Sequence, residues 1–348
     1  QSGRCIGTQF ILDNNLLSFD LENYNHQETL VIDPALVWAT YYGYIGGDDG
    51  RSCTTDSFGN VYLSGYTSSN NFIALSGHQI IFGGYYDSFL VKFNANGALQ
   101  WATYYGGPGD DRAFSCVVDG LSNVFLAGMT QSSIGIAASG HQNNYGGAQD
   151  IFLVKFNNNG VRQWGTYCGD LGSDYGRSCT TDASGNVYLA GYTSSGGGTI
   201  IATSGCHQST YGGGAVDAFL VKFNAAGVRQ WGTYYGGTGD DLGYACSSDA
   251  SGNIYLAGLT QSGTGTIIAT SGSHQSTFGG VTDAFLVKFN SSGVRLWGTY
   301  YGGNGYDYGY SCASDATGNV YLAGSTPAIT GTVIATAGAH QTINGGAN

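Results

Sequence analysis

The chain has 348 residues, of which 60 are Gly, 3 Pro, 26 Tyr, 16 Phe and 5 Trp, and its formal net charge is −12. That charge repels phosphate backbones and anionic membrane surfaces, which argues against nucleic-acid and lipid-surface partners. Gly plus Pro stays below the fraction that marks low-complexity disorder, and 42% apolar residues suffice for a sizeable core. Only 10% of residues are charged, low for a cytosolic enzyme.

The chain starts at Gln1 with no basic-then-apolar leader, so a processed mature form or an excised fragment is expected. No apolar run approaches the ~20 residues of a membrane-spanning helix. Residues 1–28 read as an extension or docking segment. Within it, Q-F-I-L-D-N-N-L-L-S-F-D reads as a hairpin with Asn-Asn at the turn. From residue 29 to 348 one unit recurs. All five Trp residues (Trp38, Trp101, Trp164, Trp231, Trp297) hold one repeat position, at spacings of 63, 63, 67 and 66. All four Lys residues (Lys92, Lys155, Lys222, Lys288) hold another.

A representative unit contains four strand candidates. Ala218–Asn224 alternates with period two, and Val228–Tyr235 follows a tight Asn-Ala-Ala-Gly turn. Gly243–Asp249 is the third, and Asn253–Thr260 follows Asp-Ala-Ser-Gly. Gly supplies the positive φ such turns need, and Asp or Asn bonds the backbone two residues on. Asp56, Asp119, Asp182, Asp249 and Asp315 are therefore read as turn formers. Four short antiparallel strands repeated radially describe a β-propeller; a linear solenoid is the rival.

The strings W-[AG]-T-Y-Y-G-G-x-G-D-D, D-x-x-G-N-[VI]-Y-L-[AS]-G-x-T and D-x-F-L-V-K-F-N resemble the SBBP-type β-propeller repeats of secreted bacterial proteins. The resemblance covers about residues 29–348. It implies a secreted, extracellular or cell-surface propeller, and it carries no catalytic motif to transfer. The chain departs from the family pattern by placing Cys53, Cys116, Cys179, Cys246 and Cys312 where Ile or Val is usual.

In propeller order the Cys-bearing strand is innermost (a), N-V-Y-L-A-G is b, F-L-V-K-F is c, and the Trp strand is outermost (d). Four blades are continuous, at about 51–107, 114–170, 177–237 and 243–303. The fifth has a and b at 309–326 but no F-L-V-K-F before Asn348. Residues 29–43 align with the missing strands, so the expectation is five four-stranded blades. The N-terminal strands would complete the last blade in cis or from a neighbouring subunit, the latter giving a homopolymer.

Alternation places the long d–a and b–c loops on one face, where binding residues are expected. His78, His141, His207, His274 and His340, with Asp87, Asp150, Asp217 and Asp283, are its candidate ligand-binding residues. The G-x-G-D-D loops bring Asp48, Asp49, Asp110, Asp111, Asp174, Asp240, Asp241 and Asp307, a possible Ca²⁺ set because hard cations take carboxylate oxygens. Turn capping is the alternative, since no loop matches the EF-hand pattern. One His per blade cannot gather around one zinc, and no unit stands out as a nucleophile and base pair. The repeat is broken by Cys168 and Cys206 in one blade, which suggests a disulfide in an oxidising compartment. Asn290-Ser-Ser and the Ser/Thr-rich connectors are glycosylation candidates. The function expected is a non-catalytic extracellular or cell-surface scaffold or binding module contacting protein or carbohydrate. The alternatives are a filament subunit joined by strand exchange and a polysaccharide-acting enzyme.

Overall fold

A computed structural model of the chain describes residues 8–13, 16–21, 36–196, 200–327, 334–336 and 338–341. The chain divides into two compact units, 1–39 and 40–348. The first contains an antiparallel hairpin of β1 (Thr8–Asp13) and β2 (Leu16–Leu21). This is the hairpin expected around Asn14-Asn15, but the boundary falls at 39, not 28.

The second unit repeats one sheet. Blade 1 is β3 (Asp48–Thr55), β4 (Val61–Thr67), β5 (Asp87–Phe93) and β6 (Leu99–Tyr105). Blade 2 is β7 (Asp111–Val118), β8 (Val124–Thr130), β9 (Asp150–Phe156) and β10 (Arg162–Cys168). Blade 3 is β11 (Asp174–Thr181), β12 (Val187–Thr193), β13 (Asp217–Phe223) and β14 (Arg229–Tyr235). Blade 4 is β15 (Asp241–Ser248), β16 (Ile254–Thr260), β17 (Asp283–Phe289) and β18 (Arg295–Tyr301). Each is a four-stranded antiparallel meander, and the described residues contain no helix. β19 (Tyr308–Ser314) and β20 (Val320–Ser325) form a two-stranded sheet. The architecture is all-β, built of propeller blades.

Local chemistry explains the meander. In each a–b turn the Asp carboxylate accepts backbone N–H bonds two and four residues on, as Asp56 does from Phe58 (3.0 Å) and Asn60 (3.0 Å). Gly59 takes φ +76° in that turn, a conformation that costs L-residues about 1–2 kcal/mol. The turn aspartates are thus structural, and in three blades the strand-c Lys lies beside one: Lys155–Asp119 at 3.7 Å, Lys222–Asp182 at 3.9 Å and Lys288–Asp249 at 3.3 Å.

Blades are joined by a fixed set of contacts. The outer-strand Trp of blades 1 to 3 donates its indole N–H to a c–d turn carbonyl of the next blade: Trp101 to Asn158 (2.9 Å), Trp164 to Ala225 (3.0 Å) and Trp231 to Ser291 (3.0 Å). The second Tyr of the outer strand donates to an Ile carbonyl in the next b–c loop, as Tyr105 does to Ile136 (2.6 Å). On the inner strands, a Ser hydroxyl accepts from the amide of the next blade's Cys, at 3.1 Å for Ser52–Cys116 and 3.0 Å for both Ser115–Cys179 and Ser178–Cys246. The repeat cysteines are small buried core groups in blades 2 to 5 and exposed at Cys53.

Among the described residues the ends of this array are not joined. β3 packs on β7, β7 on β11, β11 on β15 and β15 on β19, but β3 does not pack on β19 in that way. Tyr321 of β20 is 58% exposed, whereas its blade-4 counterpart Tyr255 is 1% exposed. Completion of this sheet by residues 29–43 is not seen: residues 36–47 carry no strand, and residues 29–35 lie outside the described residues. Tyr42 nevertheless takes the outer-strand tyrosine's place on blade 1. Its hydroxyl donates to the Ile73 carbonyl (2.5 Å), and its ring lies 5.3 Å from Phe89, as Tyr105 lies 5.3 Å from Phe152.

Candidate functional site

The long-loop face is built from the d–a and b–c connections, and most of the residues nominated there are turned inward. The first strand-a Asp of blades 1 to 4 is held by hydroxyl and amide donors of the protein. Asp111 accepts from Thr130 Oγ1, Ser132 Oγ (2.7 Å) and the Gly107 amide (2.7 Å). Asp174 and Asp241 repeat this with Thr193/Ser195 and Thr260/Ser262, and Asp48 with Thr67/Ser69. Asp307 accepts from the Gly303 amide at 2.8 Å. Asp49 and Asp110 pair with Arg51 and Arg112, each at 2.7 Å, and Asp240 accepts from the Ala215 amide (2.6 Å). Most of these oxygens are taken up by hydroxyl, guanidinium and amide donors, Asp307 Oδ1 is buried without a partner among the described residues, and no group of three His, Cys, Asp or Glu able to hold a metal occurs among the described residues.

Asp87, Asp150, Asp217 and Asp283 are fully buried at the start of strand c, so they do not line a ligand face. One oxygen of each ties down the b–c loop through an amide such as Gly83 N (2.7 Å) or Gly279 N (2.8 Å). The other oxygen has no partner among the described residues. Burial pushes Asp87, Asp150 and Asp217 up to about 7 and Asp283 to about 6, helped by the strand-a Asp of the following blade.

The histidines also sit between blades. His78, His141 and His207 lie 6.1, 6.3 and 5.9 Å from Phe156, Phe223 and Phe289 of the following blade. Burial, and then Arg162, Arg229 and Arg295 respectively, lower their pKa, that of His207 to about 4. His274 packs 5.4 Å from Tyr301, and His340 is exposed. They do not converge. The neighbouring Gln is the connector's polar anchor: Gln79 Oε1 accepts from the Gly106 amide (3.1 Å), and Gln79 Nε2 donates to Asp87 (3.1 Å).

No disulfide joins Cys168, which is buried, to Cys206, which is half-buried, in this structure. They share one apolar cluster with Trp164, Ile201 and Tyr234.

Two features went unread in the sequence. The first is a groove of about 770 Å³ beside the unfinished fifth sheet, lined by residues that include Leu286, Trp297, Thr299, Val320, Tyr321 and Leu322. The second is a cluster of Arg and aromatic side chains at the loop end of the inner strands. Arg112 lies 4.9 Å above Tyr66 and 4.7 Å above Tyr86, and Arg177 lies 4.8 Å from the Phe114 ring. Variation was the available signal: the positions two and four before the repeat Cys differ from blade to blade, while their flanks barely change.

Comparison with known proteins agrees with this architecture. The β-propeller repeat model SBBP matches residues 37–73, 100–135 and 163–198. The three matches fall on successive turns of the repeat, each running from an outer strand into the next inner pair. An uncharacterized WD repeat-containing protein of Acanthamoeba polyphaga mimivirus is 25% identical over 351 residues, covering 84% of this chain and 25% of its own length. The chain thus spans about a quarter of that relative.

Proposed function

We propose that this chain is a non-catalytic scaffold and binding module, secreted or displayed on a cell surface, that contacts protein or carbohydrate through its long-loop face. The observation that carries the reading is the division of labour on that face. The repeated Asp and Gln side chains are tied into hydrogen bonds with the loops and strands of their own blades, and His78, His141 and His207 pack on Phe rings of the following blade, while Phe72, Tyr85, Ile134 and Leu171 stand out into solvent from the long loops. No blade sets apart a nucleophile with a base, so catalysis has no chemical foothold. The test is binding of the full chain to a glycan array and to immobilised surface proteins. Tyr85→Ala and Leu171→Ala are expected to weaken binding at least tenfold, with Phe58→Ala and Leu121→Ala in the opposite a–b turns unchanged. Dependence on the a–b turns alone, or turnover of a polysaccharide, would reject the reading.

The unfinished fifth sheet favours a second role in assembly. Among the described residues β20 has no second strand partner and lies over a groove lined in part by Leu286, Trp297 and Leu322, and such edges recruit strands. Residues 29–43 have the sequence of the missing outer pair. Donation to the next copy would join chains head to tail.

A further inference from the structure

The repeat spends its basic residues regularly, with three exceptions. Of seven Arg in the sequence, Arg162, Arg229 and Arg295 hold one repeat position at the start of strand d. There they donate to b–c loop carbonyls, as Arg295 does to Thr266 at 3.0 Å. Arg4 lies outside the repeat, and Arg51 and Arg177, two before the repeat Cys, and Arg112, four before it, stand at the two variable positions on the inner strands of three successive blades. Tyr175, Tyr244, Tyr308 and Tyr310 occupy corresponding inner-strand positions in blades 3 to 5.

These side chains meet. Arg51 lies 5.2 Å and Arg112 4.9 Å from the Tyr66 ring. Arg177 is held among Phe114, Tyr192 (5.3 Å) and Tyr175 (5.8 Å), and Tyr175 stacks on Tyr192 at 4.9 Å. Tyr244 continues the row to Tyr310 (5.8 Å), which lies parallel to Tyr308 at 5.7 Å and 5°. Arg51 and Arg112 have Asp partners. Arg177 donates to the Tyr192 hydroxyl (3.0 Å), its Nε is buried without a hydrogen-bond partner, and no carboxylate lies within 4.0 Å of it among the described residues.

We propose that this Arg–aromatic row is a binding site for an acidic saccharide, a glycan carrying uronate carboxylates, with Arg177 as the carboxylate-binding residue and Tyr308 and Tyr310 as the stacking surface. This rests on the reading of the long-loop face as the binding face and names its ligand. A guanidinium held by rings presents a fixed planar fork that matches a carboxylate. Flat phenol faces suit the C–H face of a sugar ring, and their hydroxyls suit its polar edge. A single Arg without a carboxylate partner in this row, in a chain of charge −12, suits a dispersed carboxylate better than a polyphosphate.

The test is titration of the full chain with oligogalacturonate, its methyl ester, neutral maltooligosaccharide and oligoglutamate. Binding of oligogalacturonate that weakens with salt is expected, with the ester and the neutral sugar at least tenfold weaker. Arg177→Gln and Arg177→Lys should each weaken binding at least tenfold. Tyr310→Ala, at a half-exposed position that folding does not need, should weaken it severalfold with an unchanged melting temperature. Equal binding of ester and acid, equal binding by the Tyr310 variant, or preference for oligoglutamate would overturn the assignment. Binding of neutral glycans alone, abolished by Tyr85→Ala, would overturn it while leaving the long-loop reading intact.

Discussion

Two sets of buried groups give the molecule opposing responses to pH. Asp87, Asp150 and Asp217 titrate at about 7 in the folded chain against 3.8 for the free side chain. A raised carboxyl pKa means the fold prefers the protonated form, so this stability is complete below 3.8 and is lost as pH rises through about 7. His207 titrates at about 4 against 6.5, and its contribution is complete above 6.5 and lost as pH falls toward 4. Melting temperature is therefore expected to rise between pH 8.5 and 6, and the histidine term to oppose further gain below that. Asp150→Asn keeps an oxygen for the Gly146 amide and removes the charge facing Asp174. It should raise the melting temperature at pH 8 and flatten the slope between pH 6 and 8; an unchanged slope would contradict the assignment. Ser122 gives a second test at this scale. It holds φ +60° where the other a–b turns have Gly, so Ser122→Gly should stabilise by about 1 kcal/mol in a thermal melt.

At the scale of elements, the blade junction is an indole laid on a glycine. A Cβ at Gly160 would lie 2.8 Å from the Trp101 ring, and the φ of +75° already excludes most residues. Gly185 shares that φ, but a Cβ there meets nothing closer than 3.9 Å. Gly185→Ala should therefore cost only the backbone term of about 1–2 kcal/mol, and Gly160→Ala a further 1–3 kcal/mol for overpacking. Equal losses in denaturant unfolding would show that the Trp contact is not rigid. The strands and turns were legible because period-two alternation and Asp-x-x-Gly turns act locally. The long-loop residues were legible by position and not by role. His78 lies in a long loop and Asp87 at the start of strand c, yet His78 packs on Phe156 of the next blade and Asp87 ties down its own b–c loop through the Gly83 amide, because a connector must be anchored on the sheets before it can face solvent. Arg177 is not legible from the repeat, because it stands at a position whose residue changes from blade to blade.

For the whole molecule, the decisive question is what covers β20. Every inter-blade seam inside the chain buries the strand-b aromatic, and the fifth sheet leaves Tyr321 exposed above a groove containing Leu286, Trp297 and Leu322. At the other end Cys53 is exposed, while Tyr42 already sits on blade 1 as an outer-strand tyrosine would. The end bearing Ser311 and the end bearing Cys53 thus match the two sides of an internal seam, where a Ser hydroxyl meets the next Cys amide. Two chains docked by these ends would reproduce a junction the chain makes within itself, and heterologous contacts of this kind grow into fibres unless the rotation closes. Head-to-tail donation predicts polymers whose mean length grows with concentration in light scattering. A peptide spanning residues 29–43, added in excess, should cap β20 and shorten them to monomers, and Leu322→Arg in the groove should abolish both peptide binding and polymers. Wild-type chains that stay monomeric at all concentrations and ignore the peptide would instead place the outer strands on their own chain's fifth sheet. The same Leu322→Arg change would then lower the monomer's melting temperature, because a charge would be buried in a seam already closed.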